Sequence, residues 1–446
     1  MSVNKVIVVG GGMAGLSACL TAIENGANVL LLDKSAYCGG NSTKATSGFN
    51  AAYTKTQILT GKEDSVDSFK KDIFRSANLG KSEEPYELGA ILADESDSSF
   101  EWLTKIFKID LSLVSRLGGH SAERTHRGKE KFPGMTITYG LLNALEKIEA
   151  DTNGQKAKIL TKANVTSLIK EGDRVVGVKY TYNGKELEEY GVVVLATGGF
   201  AADFGKDSLL LKYRPDLEKF STTNGPHCTG DGLKMHTKIG GSLVDMEWVQ
   251  VHPTGMINPK EPDNKVKWLA AEALRGVGGF IINKEGHRFC DELGRRDYVS
   301  GEMMKNIAPF RLVLGSSAAK EIIWHCNHYI GRNVMKKFNN LKELAAEMNV
   351  KYEVLSATID QYNDAAAKKE DKFGRKFFNN CPVKKDEEFY VALITPVVHY
   401  VMGGIKISNK CEALAGDKAI PGLFAAGEVA GGVHGKNRLG GNSLAE

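Results

Sequence analysis

The chain has 446 residues, 42% hydrophobic and 25% charged, enough to bury a large core in a globular protein. Its 58 Lys and Arg against 54 Asp and Glu give a net charge of +4 with no block of like charge, so no nucleic-acid-binding tail is present. No apolar run approaches the roughly 18 residues of a membrane span, which excludes an integral membrane protein.

Lys5–Val9 is a short apolar run, followed by Gly10-Gly11-Gly12-Met13-Ala14-Gly15. Leu16–Glu24 reads as a helix and Asn28–Leu32 as a second buried strand ending at Asp33. This is a βαβ unit with G-x-G-x-x-G at its turn, the pattern of dinucleotide binding. Gly10 makes the turn, Gly12 lets the backbone approach a pyrophosphate, and Gly15 packs helix on strand. The helix N-terminus offers its N–H groups to phosphate. Asp33 stands where a ribose-binding acid is expected. The segment Cys38–Ala52 is small and polar without a hydrophobic period, so it reads either as a loop lying flat on a ring system or as a solvated loop.

Further on, helical patterns with charged faces cover Asp64–Arg75 and Tyr86–Ile106. Lys156–Glu189 reads as a small antiparallel sheet with a hairpin turn at Asn183-Gly184. A buried strand, Val192–Leu195, leads into Ala196-Thr197-Gly198-Gly199, and a second strand–glycine unit spans Gly422–Glu428. The two ends therefore look like parts of one parallel sheet. Between them Glu247–His399 reads as an inserted domain, with helices at Leu341–Met348 and Val354–Lys369. The 49 glycines against 11 prolines fit many tight turns and close backbone approaches. Seven scattered cysteines without C-x-x-C spacing read as free thiols in a reducing compartment, not as zinc, iron–sulfur or haem ligands. With no apolar or Arg-rich segment before Lys5, the expected compartment is the cytoplasm, or an organelle if a targeting segment has been removed.

The GGGMAG turn with Asp33, the ATGG at Ala196 and the AGE at Ala426 together resemble the FAD-dependent succinate dehydrogenase/fumarate reductase flavoprotein family. Gln250-Val251-His252-Pro253-Thr254, Glu272-Ala273-Leu274-Arg275-Gly276, Arg295-Arg296-Asp297, Thr395–Tyr400 and His434–Asn442 are similar to that family's active-site segments, and best to its soluble members. The resemblance implies an α/β fold. A Rossmann-like FAD-binding domain in two parts, 1–246 and 401–446, would carry an inserted α+β capping domain at 247–400. It implies FAD contacts from Gly10, Gly12, Met13, Ala14, Gly15, Asp33 and Lys34. Others would come from the loop at Gly40, Asn41, Ser42, Thr43 and Gly48, and from Ala196, Thr197, Gly198 and Asp231. Gly427, Glu428, Asn442, Ser443 and Leu444 complete the set.

The implied reaction is reduction of fumarate to succinate. A dianion with a carboxylate at each end suits bidentate arginine forks. Arg296 and Arg438 supply two, and His252, Thr254 and His399 can hydrogen-bond the carboxylates. By resemblance Arg296 is also the proton donor, and Glu272 and Arg275 are the relay that reprotonates it. Arg stays protonated at any working pH, and toward a carbanion it is acid enough. Taken singly, each residue also has a plain structural reading. Arg296 is then a surface partner of Asp297 with Arg295 as its double, the histidines are core residues, and Glu272–Arg275 is an exposed i, i+3 pair. His120 and His126, in GGHSAERTHRG, receive no role.

Four departures matter. Ala271 stands where soluble members commonly have Thr before the glutamate. The loop Asn41-Ser42-Thr43 lacks the histidine that binds FAD covalently in membrane-complex members, so the FAD is expected to be noncovalent. No C-x-x-C-H segment is present, so the electron donor, such as reduced flavin or a reductase, is expected outside this chain. The family also usually continues beyond Glu446 into a helix that Asn442 or Ser443 would cap, and a shorter form is expected to hold FAD less tightly. Alternatives within the same fold are an L-aspartate oxidase or a ketosteroid dehydrogenase. A third is a flavoprotein subunit that only passes electrons.

Overall fold

A computed structural model describes residues 5–446. The strand Lys5–Val9 lies at the centre of a six-stranded sheet, with Asn28–Leu32 and Ala157–Leu160 on one side. Val192–Leu195, Lys418–Ala425 and Glu412–Ala415 lie on the other, and all but the last run parallel. The strand order therefore reverses direction beside Lys5–Val9. In an open α/β sheet such a switch opens a crevice at the C-terminal ends of the strands, and the glycine turn sits there. The first and last parts of the chain share this sheet, as the strand–glycine units suggest. The helix after the turn begins at Met13, three residues before the expected start, and runs to Glu24.

A second sheet, antiparallel, is built from Val249–Met256, Trp268–Leu269, Phe280–Ile282, Phe310–Gly315, Lys336–Phe338 and Phe389–Val401. It packs between helices that include Arg296–Met304, Leu341–Met348 and Tyr352–Lys368. Leu312, Ala392 and Ile394 face one apolar cluster of this region, and Val313, Phe389 and Val391 face the other. The alternation along the strands is what a sheet buried on both faces requires.

Three expectations need correction. Ala157–Leu160 leaves the antiparallel hairpin and pairs in parallel with Asn28–Leu32, because its apolar residues complete the edge of the larger sheet. The antiparallel sheet is confined to Asn164–Glu171, Arg174–Tyr182 and Lys185–Tyr190. Tyr86–Ile106 is not one helix: it breaks at Glu95 into Glu87–Asp94 and Ser96–Glu101, followed by a wide turn at Trp102–Ile106. At the other end of the chain, Asn442–Leu444 is a single 3-10 turn entered through Gly441 at φ 86°, without a side-chain cap from Asn442 or Ser443. The helix Pro133–Asp151, which lies outside the elements expected from the sequence, carries a Pro in its first turn and buries Ile137, Leu141 and Leu145 at helical spacing.

Candidate functional site

A cavity of about 650 Å³ runs from the glycine turn to the second sheet, within the size range of small-molecule sites. Its first end is made by backbone. Gly10 takes φ 106°, and a Cβ there would collide with the Ala196 carbonyl. A Cβ on Gly15 would strike the carbonyl oxygen of Gly10, so Gly15 seats the helix on the turn rather than facing the cavity. A Cβ on Gly12 would find only the Ser42 hydroxyl, at 3.4 Å. The space above Gly12 is therefore part of the cavity, the cradle a pyrophosphate needs. Asp33 accepts the Gly11 N–H at 2.7 Å and the Ser35 N–H at 2.7 Å. A carboxylate has about four acceptor positions, which leaves two for ribose hydroxyls. Lys34 bridges to Asp231 at 2.6 Å at the same end.

Met13, Ala14, Gly40, Asn41, Ser42, Thr43 and Gly48 also line the cavity, with Ala196, Thr197, Gly198, Gly427, Glu428, Ser443 and Leu444. Asn442 does not: its side-chain oxygen accepts from Asn50 at 2.6 Å behind the wall. The buried side-chain polar atoms of Thr46, Thr197 and His227, all in the lining, lack a protein partner. Glycine cradle, ribose acid and unpaired polar walls together fit FAD. Glu428 is half-buried in the cavity wall, and desolvation pushes its carboxyl up to about 7, against the Val401 N–H it accepts at 3.0 Å.

The other end is made by side chains. The strand Val249–Met256 brings Gln250 and His252 to the cluster, and its pairing with Phe389–Val401 slips between His252 and Gly255. Pro253 lies in that slip, where its missing N–H costs no ladder bond. Glu272 opens the single turn Ala273–Gly276, which places Arg275 above it, and Arg296 begins the helix Arg296–Met304. Arg438 comes from the glycine-rich loop before the last turn. Glycines make room for the carboxylate: a Cβ on Gly118 would come within 2.7 Å of Glu272, and one on Gly440 within 2.8 Å.

Arg296 donates through Nε and Nη2 to Glu272 Oε2, at 2.8 and 2.6 Å, and through Nη1 to Gln250 Oε1 at 2.8 Å. Arg438 Nη2 reaches the same Gln250 oxygen at 3.2 Å, and its guanidinium lies 4.2 Å over the Tyr400 ring. Arg275 Nη2 is 3.3 Å from Glu272 Oε1, and both residues are fully buried. Burial alone would raise the Glu272 carboxyl; Arg296 and Arg275 outweigh it and hold it at about 2. Burial and the neighbouring Arg296 bring Arg438 down to about 10. Three arginines against one carboxylate leave a surplus of positive charge, the condition for binding a dianion.

The histidines are neutral donors. Burial and then the Arg296 charge push His252 and His399 far below the usual imidazole range. The Thr254 N–H donates to His252 Nδ1 at 3.2 Å, so the ring proton sits on Nε2. That Nε2 is buried without a hydrogen-bond partner, 3.9 Å from Glu272. Thr254 is turned away from the cavity, its hydroxyl donating to Ala270 O at 3.3 Å, so it orients His252. His399 pairs with the Thr223 hydroxyl at 2.8 Å. Arg296, His399 and Arg438 line the cavity, whereas His252, Glu272 and Arg275 stand directly behind them. Ala271 is buried, its N–H donating to the Tyr329 hydroxyl at 3.0 Å.

The structure separates the two neighbouring arginines. Arg295 pairs with Asp297 at 3.1 Å and is the partly exposed surface partner, while Arg296 turns inward. Gln250 has no role from its sequence segment alone, yet it joins the cluster. The signal is its spacing: two residues before His252 on a strand, it is due on the same face. His120, also without a role from sequence, donates from Nε2 to Gly440 O at 2.8 Å, which steadies the loop carrying Arg438.

Comparison with known proteins supplies the family. A family model for the FAD binding domain matches residues 5–444. A fumarate reductase of Schizosaccharomyces pombe is 46% identical, over 99% of this chain and 86% of that protein. Fumarate reductase 1 of Saccharomyces cerevisiae is 37% identical, over 100% and 96%. Among solved structures, the open conformation of a flavocytochrome c3 fumarate reductase superposes with a TM-score of 0.74 at 33% identity, covering 99% of this chain and 75% of that one. A 3-ketosteroid dehydrogenase from Rhodococcus jostii, at 21% identity and TM-score 0.70, shares the fold.

Proposed function

Since this chain belongs to the FAD-binding family of fumarate reductase flavoproteins, as an oxidoreductase, we propose that it reduces fumarate to succinate, with Arg296 as the acid. The observation that carries the reading is Arg296 itself. It faces the cofactor cavity beside His399 and Arg438 while Glu272 and Gln250 hold its other edges. FAD, held by the glycine turn, Asp33 and the loop Gly40–Gly48, would supply the hydride from its N5 for one alkene carbon. Arg438 and the His399 ring bind and orient the substrate carboxylates, with the Nε2–H of His252 held behind them. Hydride arrival leaves carbanion character on the second carbon, and these fixed donors stabilise the negative charge spreading into the adjoining carboxylate. An Arg296 N–H then gives its proton to that carbon, and Glu272, which meets Arg275 through Oε1 and Arg296 through Oε2, relays one from Arg275. Glu272, ionised at working pH, passes the proton without storing it.

The reading includes noncovalent FAD held by residues 1–246 and 401–446, a capping domain at 247–400, and an electron donor outside the chain. The cytoplasmic assignment rests on seven unpaired cysteines. Among the described residues, no helix is long and apolar enough to cross a membrane. The test is anaerobic: reduce the flavin with dithionite, add fumarate, and follow the visible absorbance. Reoxidation by fumarate and not by buffer alone supports the reading. A flavin that stays reduced sinks it, and so does reduction of the oxidised flavin by L-aspartate, since an aspartate oxidase could also be reoxidised by fumarate. Acid precipitation of the same sample should release the flavin; fluorescence that stays with the protein on a denaturing gel would overturn noncovalent binding.

A further inference from the structure

Residues 221–225 run alongside the strand Phe389–Val401 and reach both ends of the cavity. The Val398 N–H donates to Ser221 O at 2.8 Å and the Thr223 N–H to Val398 O at 3.0 Å, so the segment lies parallel to the strand as far as His399. Thr222, Thr223 and Asn224 are buried, where each polar side-chain atom needs a partner. Asn224 finds its partners on three separate elements. Its amide nitrogen donates to Thr222 Oγ1 at 3.2 Å and to the His399 carbonyl at 2.8 Å, and its amide oxygen accepts from Asn41 Nδ2 at 2.5 Å. The Asn41 oxygen in turn accepts the Gly225 N–H at 3.0 Å. The Asn41 side chain is therefore spent on this segment, and the cofactor loop reaches the backbone of His399 through two amides.

Thr223 takes the ring of the same histidine. Its hydroxyl is 2.8 Å from His399 Nδ1 and has no other hydrogen-bond partner among the described residues. That leaves Nε2 for the cavity. The charges acting on the ring are those of Arg296 and Arg438, and the neutral His252 ring stands edge-on at 5.0 Å between centroids. A neutral imidazole carries one N–H, and the bond made by one nitrogen decides which of the two it is. A hydroxyl can donate or accept. By donating to Nδ1, Thr223 leaves the proton on Nε2, as a carboxylate in the cavity requires. With the proton on Nδ1, a lone pair would face that carboxylate instead. The tautomer of His252 is imposed by a backbone N–H, whereas that of His399 depends on one hydroxyl.

We propose that Thr223 and Asn224 are positioning residues: Thr223 holds His399 as an Nε2–H donor to a substrate carboxylate, and Asn224 ties the backbone of His399 to the cofactor loop through Asn41. The proposal rests on the dicarboxylate reading given above. Thr222, which donates to the Ala201 carbonyl at 2.9 Å and accepts the Asn224 N–H at 3.1 Å, fixes the segment from behind. Binding of the cofactor and aim of the substrate donor then share one set of hydrogen bonds, so loosening the loop costs both.

The experiment uses the oxidised, FAD-loaded protein and malonate, a dicarboxylate without the CH–CH bond of the reaction. Titration followed by flavin absorbance reads its Kd without turnover. Thr223→Val, nearly the same shape without the hydroxyl, should weaken malonate about tenfold, the scale of one hydrogen bond to a charged group. The fumarate KM should rise by a similar factor, with kcat changing less, and Thr223→Ser should restore both. With malonate bound, nitrogen NMR of labelled histidine should show His399 protonated on Nε2 and not on Nδ1, a preference that Thr223→Val loses. Asn224→Leu should weaken malonate and FAD together, the latter read by equilibrium dialysis. An unchanged malonate Kd in Thr223→Val, or a proton on Nδ1 in the malonate complex, overturns the role of Thr223, whether or not Asn224→Leu folds. Unaltered FAD affinity in a folded Asn224→Leu protein overturns the tie to the cofactor loop. An unmodified protein that binds malonate but is not reoxidised by fumarate strikes the function proposed above and leaves the carboxylate role of His399 standing; one that binds no dicarboxylate strikes both.

Discussion

The two ends of the cavity are built by opposite means. At the glycine end the ligand would meet backbone: a turn, a helix N-terminus, and positions where a methyl group decides whether phosphate fits. Residues 5–33 supply the turn, the helix N-terminus and the acid, and Ser42 and Ala196 close the walls around them. At the arginine end the ligand would meet side chains brought from residues 250–254, 272–275, 296, 399 and 438, on two strands, two helices and a loop. The first end is fixed once a single βαβ unit folds. The second exists only when the larger sheet, the inserted sheet and the last loop are all in place.

The largest effect should come from breaking the arginine end at one atom group. Arg296→Ala removes both the proton source and a fixed charge. Losing one preorganised donor costs on the order of 10²–10³ in rate, and losing the only acid should cost more, so turnover should fall below detection with FAD content unchanged. Arg295→Ala, which gives up the partly exposed pair with Asp297, should retain most activity. Steady-state fumarate reduction of the two variants checks this. Equal losses would mean that the acid is another group.

The glycine end breaks differently. Gly12→Ala meets nothing closer than 3.4 Å, so the fold should keep its stability, within about 1 kcal/mol. The methyl group occupies the space a pyrophosphate needs, and FAD affinity should fall by at least tenfold. Gly15→Ala has no such room, since its Cβ meets the Gly10 carbonyl, and should lower the unfolding midpoint as well as FAD content. Thermal unfolding and flavin titration of both variants separate the effects. A stable, FAD-loaded Gly15→Ala protein would show that helix and turn can move apart.

This contrast explains what is legible in the sequence. The glycine end can be read residue by residue because its spacing is its chemistry, and Gly10, Gly12 and Asp33 lie where that spacing puts them. The arginine end can be read only through the order and company of its segments. Taken alone, Arg296 and Arg295 are indistinguishable; only the helix start at Arg296 turns one inward. Thr254 belongs by resemblance with the substrate-binding residues, yet its hydroxyl is spent on Ala270, a contact 16 residues away that no local pattern encodes. Gln250 escapes sequence reasoning because an amide acquires a role here only by standing between two arginines. Ala157–Leu160 reads into the wrong sheet because four residues of strand do not reveal which partner they edge.

Gln250 offers a finer cut. Its oxygen accepts from Arg296 and Arg438 together, and its amide holds Asn437 and the Arg438 carbonyl, each at 2.8 Å. Gln250→Leu leaves buried guanidinium N–H groups unpaired. A hydrogen bond to a charged group is worth about 1.5–3 kcal/mol, so kcat/KM for fumarate should drop roughly 10- to 100-fold, mostly in KM if Arg438 loses its aim. A change in kcat alone would place Gln250 with Arg296 rather than with the pair.

The smallest effect concerns protons. His252 and His399 stay neutral in the folded protein because burial and Arg296 oppose their charge. In the unfolded chain they titrate near the ordinary value of about 6.5. Below that pH the unfolded state binds protons that the folded state refuses, so stability falls as pH falls, by up to about 1.4 kcal/mol per pH unit for each histidine. Glu272 works in a separate window: held at about 2, its contribution is present above its unfolded value near 4.5 and is lost only as pH drops toward 2. Glu428, raised to about 7, has the opposite sign between roughly 4.5 and 7, but it is common to all variants compared. Replacing both histidines by Gln should therefore flatten the slope of urea-unfolding stability between pH 6.5 and 5.5, at fixed FAD concentration. The change should reach up to about 2.8 kcal/mol per unit. An unchanged slope would mean that the folded histidines are charged, with Glu272 as their counter-ion. The arginine end would then carry five cations against that one carboxylate, a stronger attraction for a dianion than neutral rings leave.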